Sequence, residues 1–381
     1  MEEKTARGRR VAVTGMGAVT AFGAGVPALQ RGAWSGASAI APLTLFDVSR
    51  FVAKTGAEIR VVPADPAGET ADRTERLALA AAAEALGELA SLGGADAGVA
   101  MGTTLAGREA RVSPGALAAL LARRHGARGP VATVSTACAS GTAAIGLAAA
   151  WIREGRAVRV LAGGADALSP FVFSGFDALR ALSPTAARPF DAGRDGLTLG
   201  EGAAFLLLED EDEALRRGAR VLARVTGYGS AADAFHMTRP DPAGTGLARA
   251  AAAALGNAGR TAADVGFVSA HGTGTVFNDA MEEAALAHVL GARAGSVPVH
   301  GLKGAIGHTL GAAGALEAIL SVLVLGAEDV PPTAGHRAAR PGSPLFVISG
   351  APHRPERRVD VVLSTSAAFS GTDAALVLER A

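Results

Sequence analysis

The chain of 381 residues holds one cysteine, Cys138. A single cysteine excludes an intrachain disulfide framework and a cysteine-based zinc cluster, and it fits a reducing compartment. An excess of either charge is also missing: 36 basic residues meet 36 acidic ones. No nucleic-acid surface and no polybasic membrane anchor is expected from that balance. Long apolar runs are absent too. ALEAILSVLVLG, at 315–326, is too short to span a bilayer, and RRVAVTGMG, at 9–17, is broken by glycines like a first strand and turn rather than a secretory segment. The expectation is a cytoplasmic protein with no membrane segment. Aromatics are scarce, at 4% of residues, whereas there are 50 glycines and 49% of residues are hydrophobic. Small residues must therefore do the packing, in an α/β protein with many turns and close helix–sheet contacts.

Hydrophobic patterning supports that class. Strand-like runs (RRVAVTGMGAVT, AGVAMGTT, VATVSTA, RVLAGGAD) alternate with helix-like ones (ERLALAAAAEALGELA, SPGALAALLARRHG, SGTAAIGLAAAWIREG) up to about residue 210. The rhythm then restarts with RVLARVTGYGSA, TGLARAAAAALGNAG, DVGFVSAHGTGT, MEEAALAHVLG and GHTLGAAGALEAILSVLVL, and closes on RVDVVLSTSAA and AALVLER. Two α/β halves, 1–210 and 211–381, are expected to share one core with helices layered on a mainly parallel sheet.

Four stretches carry candidate chemistry. Cys138 lies between a strand ending at Thr136–Ala137 and a helix rich in Ala and Gly. A free cysteine is most often a packed thiol; at a strand–turn–helix elbow, the helix dipole would instead favour thiolate. His271 opens HGTGTVFND at the end of an apolar strand, where open α/β sheets place ligands. It is either a histidine satisfied by a loop carbonyl or a ligand contact, with Thr273 and Thr275 offering hydroxyls. His308, in KGAIGHTLGAAGALE, is expected in the first turn of a long helix, where the dipole keeps imidazole neutral. Lys303 and Glu317 flank it as surface charges or as its partners, and Gly311 and Gly314 suggest close approach of another backbone. Phe369, Ser370 and Gly371, in AAFSGTDAAL, read as a bulky plug on a turn or as an ordinary hairpin. No phosphate loop, dinucleotide fingerprint or metal cluster is evident; the glycines of GAVTAFGAG do not match G-x-G-x-x-G.

TACASG with Cys138, HGTGT with His271, and KGAIGHTLGAAG with Lys303 and His308 occur in that order. The set resembles the β-ketoacyl-ACP synthases of the thiolase-fold superfamily, nearest the elongating KAS II type. VAVTGMGAVTAFG, AGGAD, RPFDAGRDGLTLGEGAA, DAFHMTRP and FSGTDA extend the resemblance over almost the whole chain. It implies a five-layered αβαβα fold, a dimer, and an acyltransferase that condenses malonyl-ACP with an acyl group held on Cys138. It further implies that His271 and His308 bind the thioester oxygen, and that the Cys138 and Phe369 backbone N–H groups form an oxyanion hole. Lys303 would organise charge and water around His308, with Glu317 supporting it. Thr273 and Thr275 would contact pantetheine, Phe176 in SGFDALRAL would line the acyl pocket, and Phe369, Ser370 and Gly371 would form its gate. The substrates would ride on the phosphopantetheine of acyl carrier protein, with no metal and no bound cofactor.

Two departures from the family pattern stand out. The gate GFGGTN is AFSGTD here, with Ala368, Ser370 and Asp373 substituting, and the segment around 105–113 is shortened. Both lean toward a type II polyketide or aryl-polyene-like pathway rather than housekeeping fatty-acid elongation, as a homodimer or with a chain-length-factor-like partner. A non-condensing partner subunit would usually lack the cysteine, a thiolase needs a second one, a cysteine hydrolase needs a His–Asx base pair, and a plain binding module leaves the ordered set unexplained.

Overall fold

The computed structural model describes residues 8–65, 67–68, 72–94, 96–104 and 113–381. Its strands of four or more residues are β1 Val11–Thr20, β2 Ala97–Gly102, β3 Val131–Val134, β4 Arg159–Asp166 and β5 Gly202–Asp210, then β6 Ala223–Ala232, β7 Phe267–Ala270, β8 Pro298–Gly301, β9 Val361–Ala367 and β10 Thr372–Arg380. The first five lie in the order β3-β2-β4-β5-β1 and the last five repeat it as β8-β7-β9-β10-β6. Parallel and antiparallel pairings repeat as well: β4 on β2 and β9 on β7 are parallel, β5 on β4 and β10 on β9 antiparallel. The arrays meet where Ala12 pairs with Arg224 and Val13 with Ala223.

Helices fill three layers around these sheets. α1 Arg73–Leu86 and α2 Pro114–Arg124 cover the outer face of the first array, while α4 Thr245–Ala258 and α5 Val276–Leu290 cover that of the second. α3 Ser140–Arg153 and α6 Ala313–Gly326 lie between the sheets in one apolar cluster. Both faces of each sheet are thus covered, which is why the strands read as near-continuous apolar runs. Along β2, Val99 and Met101 face the outer cluster and Ala100 the inner one.

Helix α6 begins later than expected. Residues Lys303–Ile306 form one short helical turn, Leu310–Ala312 a 3-10 turn, and α6 starts only at Ala313. His308 therefore does not sit in the first turn of the long helix: it lies in extended backbone bridged to Leu199. Glycine is what lets this crossing exist. A Cβ at Gly314 would fall 1.9 Å from Thr142 Oγ1 and 2.9 Å from the Thr142 backbone nitrogen, and one at Gly311 would fall 2.7 Å from the Thr103 Cα. The shortened segment at 105–113 lies, apart from Ser113, outside the described residues.

Gly314→Ala should therefore overpack the α3–α6 contact and lower stability by about 1–3 kcal/mol. A urea unfolding curve checks this, with the midpoint falling at unchanged slope.

Candidate active site

The turn before α3 is built to present one side chain. Ala137 takes φ 49°, a left-handed conformation that a residue with a bulky side chain adopts only at a cost, and Cys138 follows on a 3-10 turn, Ala137–Ala139. Ser140 pins the elbow: its hydroxyl accepts from the Thr136 N–H (2.9 Å) and donates to the Ala137 carbonyl (2.6 Å). The Cys138 side chain is buried, with Sγ 3.0 Å from His308 Nε2 and the Phe369 backbone N–H directed at it.

Burial dominates the thiol's ionisation. It pushes Cys138 up to about 12, against Lys303 and the Phe369 N–H, with Asp166 and Glu317 adding to the rise. The helix dipole does not yield a resting thiolate here, contrary to the expectation from the elbow alone. Among the described residues, Asp166 at the end of β4 is tied to the elbow's surroundings by bonds from Thr103, Thr104 and the Gly311 N–H.

Both imidazoles are held in one tautomer. The Leu310 N–H donates to His308 Nδ1 at 3.2 Å, so the ring proton is on Nε2, facing Cys138. Lys303 Nζ donates to His271 Nδ1 at 3.2 Å and to the His271 carbonyl at 2.6 Å, leaving the proton of His271 on Nε2 too. The rings meet edge to face at 5.3 Å. Burial and then the Lys303 charge hold both well below the usual histidine range, so they are neutral donors. Lys303 also pairs with Glu317, both fully buried. Its direct hydrogen bonds go to His271 and Glu317, and it acts on His308 only through its charge.

The HGTGT loop is clamped from α5. Glu282 accepts the His271 and Gly272 N–H groups at 2.7 and 2.8 Å, and Asp279 accepts those of Thr273 and Gly274, each at 3.1 Å. Gly272 and Gly274 take φ 43° and 79°, so glycine is required at both turns. Thr273 and Thr275 hydroxyls lie 2.9 Å apart, and Thr275 also caps α5 by accepting the Asn278 N–H. Opposite, the Phe369 ring stacks on Phe176 at 5.5 Å, and Ser370 takes φ 71° with its N–H on the Met237 carbonyl. A cavity of about 590 Å³ joins Cys138, His271, His308, Thr273, Thr275, Phe176 and residues 369–371. Lys303 and Glu317 lie behind it.

Residues 8–214 match the model described as the N-terminal domain of beta-ketoacyl synthase, and residues 222–337 match its C-terminal domain. The chain belongs to the β-ketoacyl synthase family. The tetracenomycin polyketide synthase ketoacyl synthase alpha subunit of Streptomyces glaucescens is 38% identical to this synthase, over 98% of this chain and 97% of that one. Among solved structures, the ishigamide ketosynthase/chain length factor is 34% identical with a TM-score of 0.91, covering 98% of this chain and all of its own. A type II PKS ketosynthase in complex with its acyl-carrier protein and bound to the hexaketide is 30% identical with a TM-score of 0.90, over 98% of this chain and 100% of that one. The synthase thus has the thiolase fold and is a condensing enzyme of the acyltransferase type. No helix among its described residues is long and apolar enough to cross a membrane.

Sequence reading missed the carboxylates that shape the site: Asp166, Asp279 and Glu282. All three are buried, and burial pushes each of them up. The available signal was acidic residues at i and i+3 in the first turns of α5, and an aspartate ending an otherwise apolar strand.

Because the Cys138 thiol of the synthase is raised, its thiolate fraction grows with pH without levelling off in the usual cysteine range. Iodoacetamide alkylation should accelerate about tenfold per pH unit between pH 7 and 10. A plateau near pH 8.5 would show an unperturbed thiol.

Proposed function

We propose that this synthase extends carrier-bound acyl chains by two carbons through decarboxylative Claisen condensation, with Cys138 as nucleophile and His271 and His308 as hydrogen-bond donors. The observation that carries this reading is the pair of imidazoles whose Nδ1 atoms are already occupied, leaving both Nε2–H groups to the thiol cavity.

In the first stage, Cys138 Sγ bonds to the acyl carbonyl while the thioester C–S bond of the donor breaks; the thiol proton ends on the departing pantetheine sulfur. The Cys138 and Phe369 N–H groups stabilise the oxyanion, and losing one such donor typically costs about 2.7–4 kcal/mol of barrier. In the second stage, malonyl-ACP loses carbon dioxide, and the electron pair of the broken C–C bond forms an enolate whose oxygen accepts from His271 and His308. Its carbon attacks the acyl–Cys138 carbonyl, the C–Sγ bond breaks, and 3-oxoacyl-ACP leaves. A sulfur whose thiol lies near 12 takes up a proton as it is released.

On this reading, Lys303 and Glu317 position His271, Thr273 and Thr275 meet the pantetheine arm, and Phe176 lines the acyl pocket behind the gate of Phe369, Ser370 and Gly371. Residues 1–210 supply the nucleophile and 211–381 the imidazoles and gate. The enzyme is cytoplasmic and uses no bound cofactor, because the thioester itself carries the reactive bond. Its partners are an acyl carrier protein, as for the similar ketosynthase solved with one, and a second ketosynthase-type subunit. The likeness to the ishigamide ketosynthase/chain length factor favours a heterodimer in a type II polyketide or aryl-polyene-like pathway.

Cys138→Ala should abolish the acyl adduct formed with acyl-ACP, read by intact-protein mass spectrometry; an adduct persisting on the variant overturns the assignment. Cys138→Gln should retain or raise malonyl-ACP decarboxylation, since both imidazoles remain, and its loss would contradict their role.

A further inference from the structure

The gate contains an aspartate with unusual company. Asp373 is the second residue of β10, two residues after the Phe369–Gly371 turn; it lines the cavity and is 4% exposed. The described hydrogen bonds include none to its carboxyl. Asp233, on the segment following β6, faces it. A Cβ at Gly246 would lie 2.4 Å from Asp373 Oδ2 and 2.9 Å from the Asp233 Cβ, so both side chains converge on that glycine of α4. The other charged groups that face Asp373 are Asp241, ahead of α4, Arg249 on α4 and Glu282 on α5. Arg249, the cation among them, already donates to the Ala232 carbonyl at 2.6 Å.

This pair sits on the seam that holds the gate. The Asp233 N–H donates to the Gly371 carbonyl at 2.8 Å, and the Ser370 N–H donates to the Met237 carbonyl at 2.7 Å. The Asp233 carboxylate in turn orders its own segment by accepting the Phe235 and Asp241 N–H groups, each at 3.0 Å. A charge on Asp373 therefore arises beside the two bonds that fasten residues 370–371 to residues 233–237.

We propose that Asp373 is a proton-dependent latch, closing the Phe369 turn over Cys138 when its carboxyl is protonated and releasing the turn when it is charged beside Asp233. The inference rests on the reading of residues 369–371 as the gate. Burial, then Asp233, then Glu282 push Asp373 up to about 7, so the switch falls in the neutral range. The sign follows: below that value the neutral Asp373 carboxyl leaves the seam intact, and above it the charged carboxyl loosens the seam. From one pH unit below to one above, the protonated share falls from about 90% to about 10%.

Hydrogen–deuterium exchange of the unliganded protein tests this without any substrate, so its outcome is independent of whether condensation occurs. The peptide covering 367–373, corrected for intrinsic exchange, should be about tenfold better protected at pH 6 than at pH 8. In Asp373→Asn, protection should no longer change with pH. Equal protection of the unmodified protein at both pH values, or a pH response surviving in Asp373→Asn, overturns the latch.

Discussion

The site hangs on one buried cation. Lys303 Nζ has three donors, and they meet the His271 carbonyl, His271 Nδ1 and a Glu317 oxygen. An ammonium group taken out of water is tolerated only when its bonds are made and a counter-charge is beside it. With those conditions met, the same charge disfavours a proton on either imidazole and works against the burial that keeps Cys138 neutral. The tautomer of His271 follows directly from its bond to Lys303. That of His308 has a separate cause, the Leu310 N–H on Nδ1, and Leu310 can reach it because the chain makes a left-handed step there (φ 54°).

Around this cation the two arrays of strands bring together residues far apart in the chain. Cys138 comes from the elbow after β3, His271 from the end of β7, His308 from the backbone ahead of α6, and Phe369 from the turn joining β9 to β10. Close packing of α3 against the chain entering α6 sets the 3.0 Å separation of Sγ and Nε2, and glycines at 141, 311 and 314 make that approach possible. Stability and geometry are therefore coupled: a methyl group placed at the crossing would displace the nucleophile from its donor.

Much of this was legible in the sequence because local signals agreed with the fold. The alternation of apolar strands and alanine-rich helices reflects sheets covered on both faces, and the ordered motifs around Cys138, His271, Lys303 and His308 pointed to one site. What escaped depends on tertiary burial. The elbow suggested a lowered thiol, yet desolvation outweighs the dipole and the thiol is raised. GHTLGAAGALE suggested a helix from its first residues, but bonds from the His308 N–H to the Thr198 carbonyl and from the Gly200 N–H to the His308 carbonyl hold that stretch extended. Asp279 and Glu282 were not singled out in the sequence; only the folded loop shows backbone N–H groups converging on them.

The central claim is that two neutral imidazoles present Nε2–H donors to the cavity of Cys138. Nitrogen-15 NMR of protein labelled at histidine tests it most directly, with His271→Ala and His308→Ala variants assigning the signals. The account predicts that both rings stay neutral in the Nε2–H tautomer from pH 5.5 to 8.5. An imidazolium at either position within that range, or an Nδ1–H tautomer at His308, would contradict it.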